Sequence, residues 1–191
     1  VSEIHRHIGD HLRTIEILRE EAPVIQEIAD RLTQCLRDGG CVFWAGNGGS
    51  ASDCQHLAAE LVGRFERERA GFASVALTTD SSILTSVSND YGFDRVFARQ
   101  VEALSRPGDL LIGISTSGNS PNVLRAVETA AAMGIGTIGL SGRDGGELRK
   151  LADVCLVVRS DNTARIQEAH ILIGHILCDL AERRVSASSG V

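Results

Sequence analysis

The chain has 191 residues, 43% of them apolar and 23% charged, with 25 acidic against 19 basic side chains and a formal net charge of −6. That balance suits one domain with a real core and excludes disordered, collagen-like and coiled-coil readings. It also argues against a non-specific nucleic-acid binder, which needs a basic surface to release counterions. Anionic small molecules stay open, because backbone N–H groups bind phosphate without net positive charge.

Taken in order, residues Ser2 to Arg37 read as helix, with Ile4, Ile8, Leu12, Ile15 and Leu18 on one face. Pro23 starts a second helix with Val24, Ile28, Leu32 and Leu36, since its missing N–H costs nothing in a first turn. CVFWAG, Cys41 to Gly46, is an apolar run of buried-strand type, and Ser50 to Gly63 is helical. A strand follows at Ser74 to Leu77, then helical segments from Ser81 to Leu104 that break near Asn89-Asp90. A third strand is expected at Asp109 to Ile114, a helix at Ser120 to Met133 and a fourth strand at Ile135 to Leu140. A short helix at Gly146 to Leu151, a fifth strand at Val154 to Val158 and a helix at Thr163 to Arg184 precede an SASSGV tail.

Short strands that are apolar throughout and separated by helices predict a parallel sheet covered on both faces. Right-handed crossovers then give a three-layer, doubly wound α/β sandwich, with ligands beyond the carboxyl ends of the strands. The last helix is apolar on several sides, so more than one neighbour covers it. Together with the amino-terminal stripes this fits helices packed across subunits, or equally an intrachain helical layer.

Eighteen of the basic residues are Arg and Lys150 is the only lysine, so P-loop and Schiff-base lysine chemistry are not expected. The five cysteines are odd in number and none lies in a CxxC, which predicts neither a disulfide framework nor a zinc knuckle but small core residues. No apolar run reaches the roughly 18 residues of a membrane span, and VSEIHRHIGDH holds no signal-peptide core. A reducing cytoplasm is the expected location.

Two loops carry the chemistry. The first strand runs into Asn47-Gly48-Gly49-Ser50, and the third into Ser115-Thr116-Ser117-Gly118-Asn119-Ser120. Glycines let N–H groups converge, hydroxyls add donors, and the helix end that follows adds a favourable dipole. Either loop alone is also a plain turn with a Ser cap; two at equivalent positions favour a ligand. We expect Ser115, Thr116, Ser117 and Ser120 to hold a phosphate, and Asn47 to Ser50 to face sugar hydroxyls and a carbonyl end.

His56 and Glu60 are four apart and share a helix face, an arrangement that also suits an ordinary solvated pair. His175 lies in the last helix, and Gln167, eight positions earlier, is rotated from it by roughly 80°. His170 points elsewhere and reads as structural or as a residue supporting the site from behind, whereas His5, His7 and His11 suggest only polar exposure. Interconverting a 2-ketose and an aldose needs one proton moved between C1 and C2 and another between their oxygens, work suited to a carboxylate and an imidazole. Glu60 and His175 fit those roles. The set His56, Glu60, Gln167 and His175 also suits zinc, which would polarise the carbonyl but compete for the same lone pairs.

GNGGSASDCQHLAAEL, SNDYGF, LLIGISTSGNSPNV and ARIQEAHILIGHILCDL resemble the phosphoheptose isomerases of the sugar-isomerase (SIS) domain family, over nearly the whole chain. The resemblance implies a single SIS domain over residues 1–191, with 1–38 as amino-terminal helices on a flavodoxin-like five-stranded sheet, assembled as a homotetramer. It implies conversion of D-sedoheptulose 7-phosphate to D-glycero-D-manno-heptose 7-phosphate, toward nucleotide-activated heptose for lipopolysaccharide or other glycans. By motif, Glu60 is the base and His175 its partner, and zinc lies on His56, Glu60, Gln167 and His175. Substrate contacts fall to Asn47, Gly48, Gly49, Ser50, Glu60, Asn89, Asp90, Ser115, Thr116, Ser117, Ser120 and Gln167. Asn89 and Asp90 enter through the resemblance alone and otherwise look like turn formers after a helix. The chain departs from some members at Ala164, where they carry an aspartate three residues before the glutamine. A related branch binds the replication initiator protein as a non-catalytic tetramer and lacks the residues matching Glu60 and His175. A sugar-phosphate sensor would need the loops but not that pair.

Overall fold

The computed structural model describes residues 1–188. Five parallel strands, β1 (Val42–Gly46), β2 (Ser74–Ala76), β3 (Leu110–Ser115), β4 (Gly136–Gly142) and β5 (Val154–Val158), lie in the order β2-β1-β3-β4-β5. The helices are α1 (Ser2–Ile17), α2 (Ala22–Arg37), α3 (Gly49–Val62), α4 (Ser81–Tyr91), α5 (Val96–Leu104), α6 (Pro121–Ala132), α7 (Leu148–Leu151) and α8 (Thr163–Ser188). This is the expected three-layer sandwich with a helical amino-terminal extension. Register is continuous across the sheet: Val42 pairs with Leu110, Leu110 with Gly136, and Ile138 with Val154.

Alternation along each strand builds two cores. Val42, Trp44, Leu110, Ile112, Ile114, Ile138, Leu140, Leu156 and Val158 face α2, α3 and α8. Phe43, Ala45 and Leu111 face the other way, toward α5 and α6 through Phe97, Val123, Ala126 and Val127. Trp44 is fully buried, and its indole N–H donates to Ser74 Oγ at 2.9 Å, which ties β1 to β2. Cys35, Cys54 and Cys178 are buried; burial pushes the Cys35 and Cys178 thiols up to about 12, so they act as small apolar fillers.

Several boundaries differ from the expectation for identifiable reasons. The chain passes from α1 to α2 through a 3₁₀ turn at Leu18–Glu21, and Pro23 sits inside the first turn of α2. β3 starts at Leu110 because the Asp109 carboxylate works as a turn anchor, accepting from the N–H groups of Cys41 and Arg106 at 2.8 and 2.7 Å. Asn89 and Asp90 are not loop residues: they occupy the last turn of α4, and the break falls at Gly92, whose φ of 96° stops the helix. α8 continues through Ser188, so the first part of the expected tail is helical, and the rest lies outside the described residues. Among the described residues no helix is long and apolar enough to cross a membrane.

The α1 stripe is not covered within the chain. Leu18 is buried and Ile15 partly so, but Ile4, Ile8 and Leu12 are 53–62% exposed. What α1 turns toward α8 is polar: His11 Nδ1 lies 2.7 Å from Glu168 Oε2, and Arg165 donates to the His7 carbonyl at 2.8 Å. His11 thus has a specific partner that its sequence position did not suggest.

His170 is structural, as expected. It is fully buried in α8 and its Nε2 lies 3.0 Å from the Ser141 carbonyl of β4, a geometry that makes this nitrogen the donor of a neutral imidazole. Burial drives its pKa from 6.5 to about 4, against the opposing pull of that hydrogen bond. Between those values the unfolded chain binds the proton and the folded chain does not, so this contribution is whole above pH 6.5 and is lost as pH falls toward 4. The integrated loss is on the order of 3 kcal/mol. Urea unfolding of the wild type and His170→Gln from pH 7 to 4, at one protein concentration, should show a steeper acid loss in the wild type. Parallel curves would remove His170 as the cause.

Candidate active site

The strand order reverses between β1 and β3, so the crevice beyond their carboxyl ends is where this architecture receives ligands. Both small-residue loops open there, one leading into α3 and the other into α6 on the opposite face. The two are tied together by a reciprocal amide pair: Asn47 and the buried Asn122 exchange hydrogen bonds at 2.8 Å in each direction. Asn122, the second residue of α6, was not singled out from sequence, where it looked like an ordinary first-turn residue. This pairing engages the Asn47 side chain, so Gly48, Gly49 and the loop backbone are the free surface of that segment.

In the second loop the hydroxyls converge. Ser115 Oγ lies 2.9 Å from Ser120 Oγ and 3.5 Å from Ser117 Oγ, and the Asn119 N–H donates to Ser117 Oγ at 3.1 Å. Ser120 caps α6 without using its side chain on the helix, and Thr116 is partly exposed beside it. Hydroxyls and free N–H groups at a helix start are what a phosphate dianion needs in the absence of lysine. Gly118 sets the curl, with φ of 67° and with the Gly145 backbone where a Cβ would stand. Gly118→Ala should therefore cost about 1–3 kcal/mol and weaken inorganic phosphate binding. Calorimetric titration with phosphate and urea unfolding read the two effects, and wild-type values in both would show that the loop does not depend on this glycine.

The ionisable groups come together one step farther along. α3 and α8 run side by side in the same direction: Gln167 lies over Gly49, Leu57 over Gly174, and Glu182 beside residues 65–67. A Cβ on Gly174 would stand 2.5 Å from the Leu57 methyls, so the helices pack closer than side chains normally permit. That contact brings His175 Nε2 to 3.1 Å from His56 Nε2, which in turn lies 3.1 Å from Glu60 Oε1. The three ligand-capable atoms all fall within 4.8 Å of one another. Phe65 covers His175, its ring stacked at 5.4 Å and 26°.

Two imidazole nitrogens and a carboxylate oxygen meeting at one point is a donor set that zinc accepts, with a further position open. Gln167 is the member of the expected set that these contacts do not include; its amide packs on Gly49 at the loop end of α3, nearer the sugar-facing segment. Asn89 and Asp90 are exposed on α4 and bonded to each other at 2.8 Å, and no described contact joins them to the His/Glu/His group. Asp53, on α3 three residues before His56, was also missed. Its Oδ2 is buried without a partner, and burial raises its pKa, opposed by the charge of His56. The hollow lined by Glu21, Arg143, Arg149 and Arg159 holds none of these groups, and the His/Glu/His cluster itself stands on open surface, His56 being 48% exposed.

Residues 8–142 match the SIS domain family. A phosphoheptose isomerase from a Roseiflexus species is 54% identical over 183 residues, covering 96% of this chain and 91% of its own length. Among solved structures, the phosphoheptose isomerase GmhA from Neisseria gonorrhoeae is 44% identical with a TM-score of 0.91, covering 95% of this chain and 98% of that one. A phosphoheptose isomerase from Francisella tularensis is 40% identical with a TM-score of 0.90, over 95% and 97% of the two chains. By this family match, these identities and this shared fold, the chain belongs to the phosphoheptose isomerases of the SIS domain family.

Proposed function

We infer that the protein is a ketose–aldose isomerase that interconverts D-sedoheptulose 7-phosphate and D-glycero-D-manno-heptose 7-phosphate, a step of heptose biosynthesis. The observation that carries this reading is the meeting of His56, Glu60 and His175 at the seam of α3 and α8, on a chain of this family. A non-catalytic scaffold or sensor would have no use for a carboxylate and two imidazoles held in mutual reach.

The mechanism divides along α3. Ser115, Thr116, Ser117 and Ser120 hold the phosphate, and Gly48, Gly49, Ser50 and Gln167 face the sugar near the loop. Asn47 fixes that loop through Asn122 and offers its backbone. Asn89 and Asp90 are substrate contacts through α4. The Glu60 carboxylate takes the C1 proton of the ketose, giving a cis-enediol, and returns a proton to C2. His175 moves the other proton from the C1 hydroxyl to the C2 oxygen, so atoms and charge balance without a redox cofactor. Zinc would be held by His56, Glu60 and His175, with Gln167 as the further ligand of the proposed set, and when bound it would supply Lewis-acid stabilisation of the developing enediolate.

Glu60→Gln and His175→Gln should each lower kcat by about a hundredfold or more. NMR detection of new anomeric signals from sedoheptulose 7-phosphate, with and without added zinc and beside metal analysis, reads both variants. No aldose from the wild type under either condition would sink the reaction, and near-normal rates in a variant would remove that residue from its role.

The homotetramer implied by the family also belongs to this reading. It rests on the exposed Ile4, Ile8 and Leu12 stripe and on an acid–base cluster that lies open in a single chain. A second copy over α1 would bury that stripe, and we place the reaction at such a boundary, in the cytoplasm. Sedimentation of Ile8→Glu/Leu12→Glu should show a smaller assembly with unchanged helical content. An unaltered assembly would take α1 out of the interface.

A further inference from the structure

Glu182 lies on α8 two helical turns beyond His175, and its side chain is fully buried. A buried carboxylate persists only where donors replace its lost water, and here they do. Glu182 Oε1 accepts from the Phe65 N–H at 3.0 Å and from Arg69 Nε at 3.1 Å, and its Oε2 accepts from the N–H groups of Glu66 and Arg67 at 2.9 and 2.8 Å. Burial alone would raise its pKa, yet the three backbone donors and the Arg69 charge hold it below the ordinary carboxylate range.

Arg69 carries the connection onward. Its remaining N–H groups donate to the carbonyls of Leu61, Gly63 and Ala70 at 2.8–3.1 Å and to that of Glu60 at 2.9 Å. The Glu60 and Leu61 carbonyls are among those that a helix end leaves without intrahelical partners, so Arg69 ties the last turn of α3, where Glu60 sits, to the loop that follows it. The guanidinium also rests 4.0 Å over the Phe72 ring. At the other end of the carboxylate, the hydrogen bond to the Phe65 N–H seats the residue whose ring stacks on His175.

We propose that Glu182 and Arg69 form a positioning pair for the isomerisation, fixing Glu60 through the end of α3 and His175 through Phe65. This rests on the assignment of Glu60 and His175 above. Neither Glu182 nor Arg69 need touch substrate. Their effect is on the alignment of two groups carried by different helices, and small misplacements of such groups are costly in rate.

The test uses the full-length enzyme with Glu182→Gln, Phe65→Leu and the double variant. Glu182→Gln keeps the side-chain size but turns an amide N–H₂ toward backbone donors, so kcat should fall on the order of ten- to a hundredfold. KM and inhibition by inorganic phosphate should change less than threefold by that reasoning, since the phosphate loop lies between β3 and the start of α6, away from the end of α3 that Arg69 closes. Phe65→Leu keeps an apolar cover and should lower kcat by a smaller factor. Because Phe65 carries the route from Glu182 to His175, the two variants share that loss, and the double variant should be less impaired than the product of the single losses. A ¹³C-labelled His175 ring gives a readout besides activity: its upfield ring-current shift should vanish in Phe65→Leu and shrink in Glu182→Gln.

A purely structural Glu182 would instead give losses shared equally by kcat and phosphate inhibition, and multiplicative losses in the double variant; either result overturns the proposal. Where Glu182→Gln does not fold, Phe65→Leu decides alone, and a wild-type kcat with an unmoved His175 signal overturns it. Glu60→Gln and His175→Gln run in parallel separate the two claims. If those two remain active the acid–base assignment fails, whereas if they are inactive while Glu182→Gln and Phe65→Leu behave as wild type, only the positioning pair fails.

Discussion

The site depends on how closely α3 can lie along α8. Leu57 against Gly174 sets that spacing, because only the leucine places a side chain between the helices there. Both helices are fixed on the same face of the sheet by Cys54, Leu57 and Leu61 from one and Ile166, Ile173 and Leu177 from the other, all fully buried. Since they run in the same direction, residues advance along both in step. A loop contact at Gly49–Gln167 is therefore followed by the His56–His175 contact, and then by the Glu182 anchor. A wider spacing would leave the sheet and the phosphate loop unchanged but separate His175 from His56, which only the helices hold together.

Much of this frame is legible in the chain. Strands buried on both faces read as continuous apolar runs, so all five were found, and errors of one or two residues arose where a side chain or a glycine took over from the ladder. Asp109 is one such case, and the Gly145–Gly146 pair at positive φ, which delays α7 to Leu148, is another. Asn89 and Asp90 misled because their residue types favour turns, while the element that ends the helix is the glycine two positions beyond Asp90. Local propensity marked the neighbourhood correctly and the residue wrongly.

The site was legible in unequal parts. His56 and Glu60 share one helix, so their adjacency follows from spacing. The approach of His175, 119 residues from His56, follows from packing that no periodicity encodes; the proton transfers of an aldose–ketose interconversion pair it with Glu60, and the family resemblance agrees. Asn122 and Glu182 were missed for a common reason. Each looks like a surface polar residue, one after a helix-starting proline and the other in the run AERR, and only the fold shows that each is buried with its hydrogen bonds satisfied.

An acidic chain with a single lysine can still handle a doubly charged sugar phosphate because its charges and its recognition groups are kept apart. In the proposed reading phosphate recognition falls to hydroxyls and backbone N–H groups that bring no counter-charge to the loop, while the arginines near the His/Glu/His cluster are committed elsewhere. Arg69 is 5% exposed and serves four carbonyls and Glu182, and Arg67 is paired with Asp179 at 2.9 Å. That commitment matters for the chemistry. Arg69 meets Glu60 only at the backbone carbonyl and not at the carboxylate. The same arginine thus holds the end of α3 from behind, and leaves the Glu60 carboxylate facing His56 and the open surface.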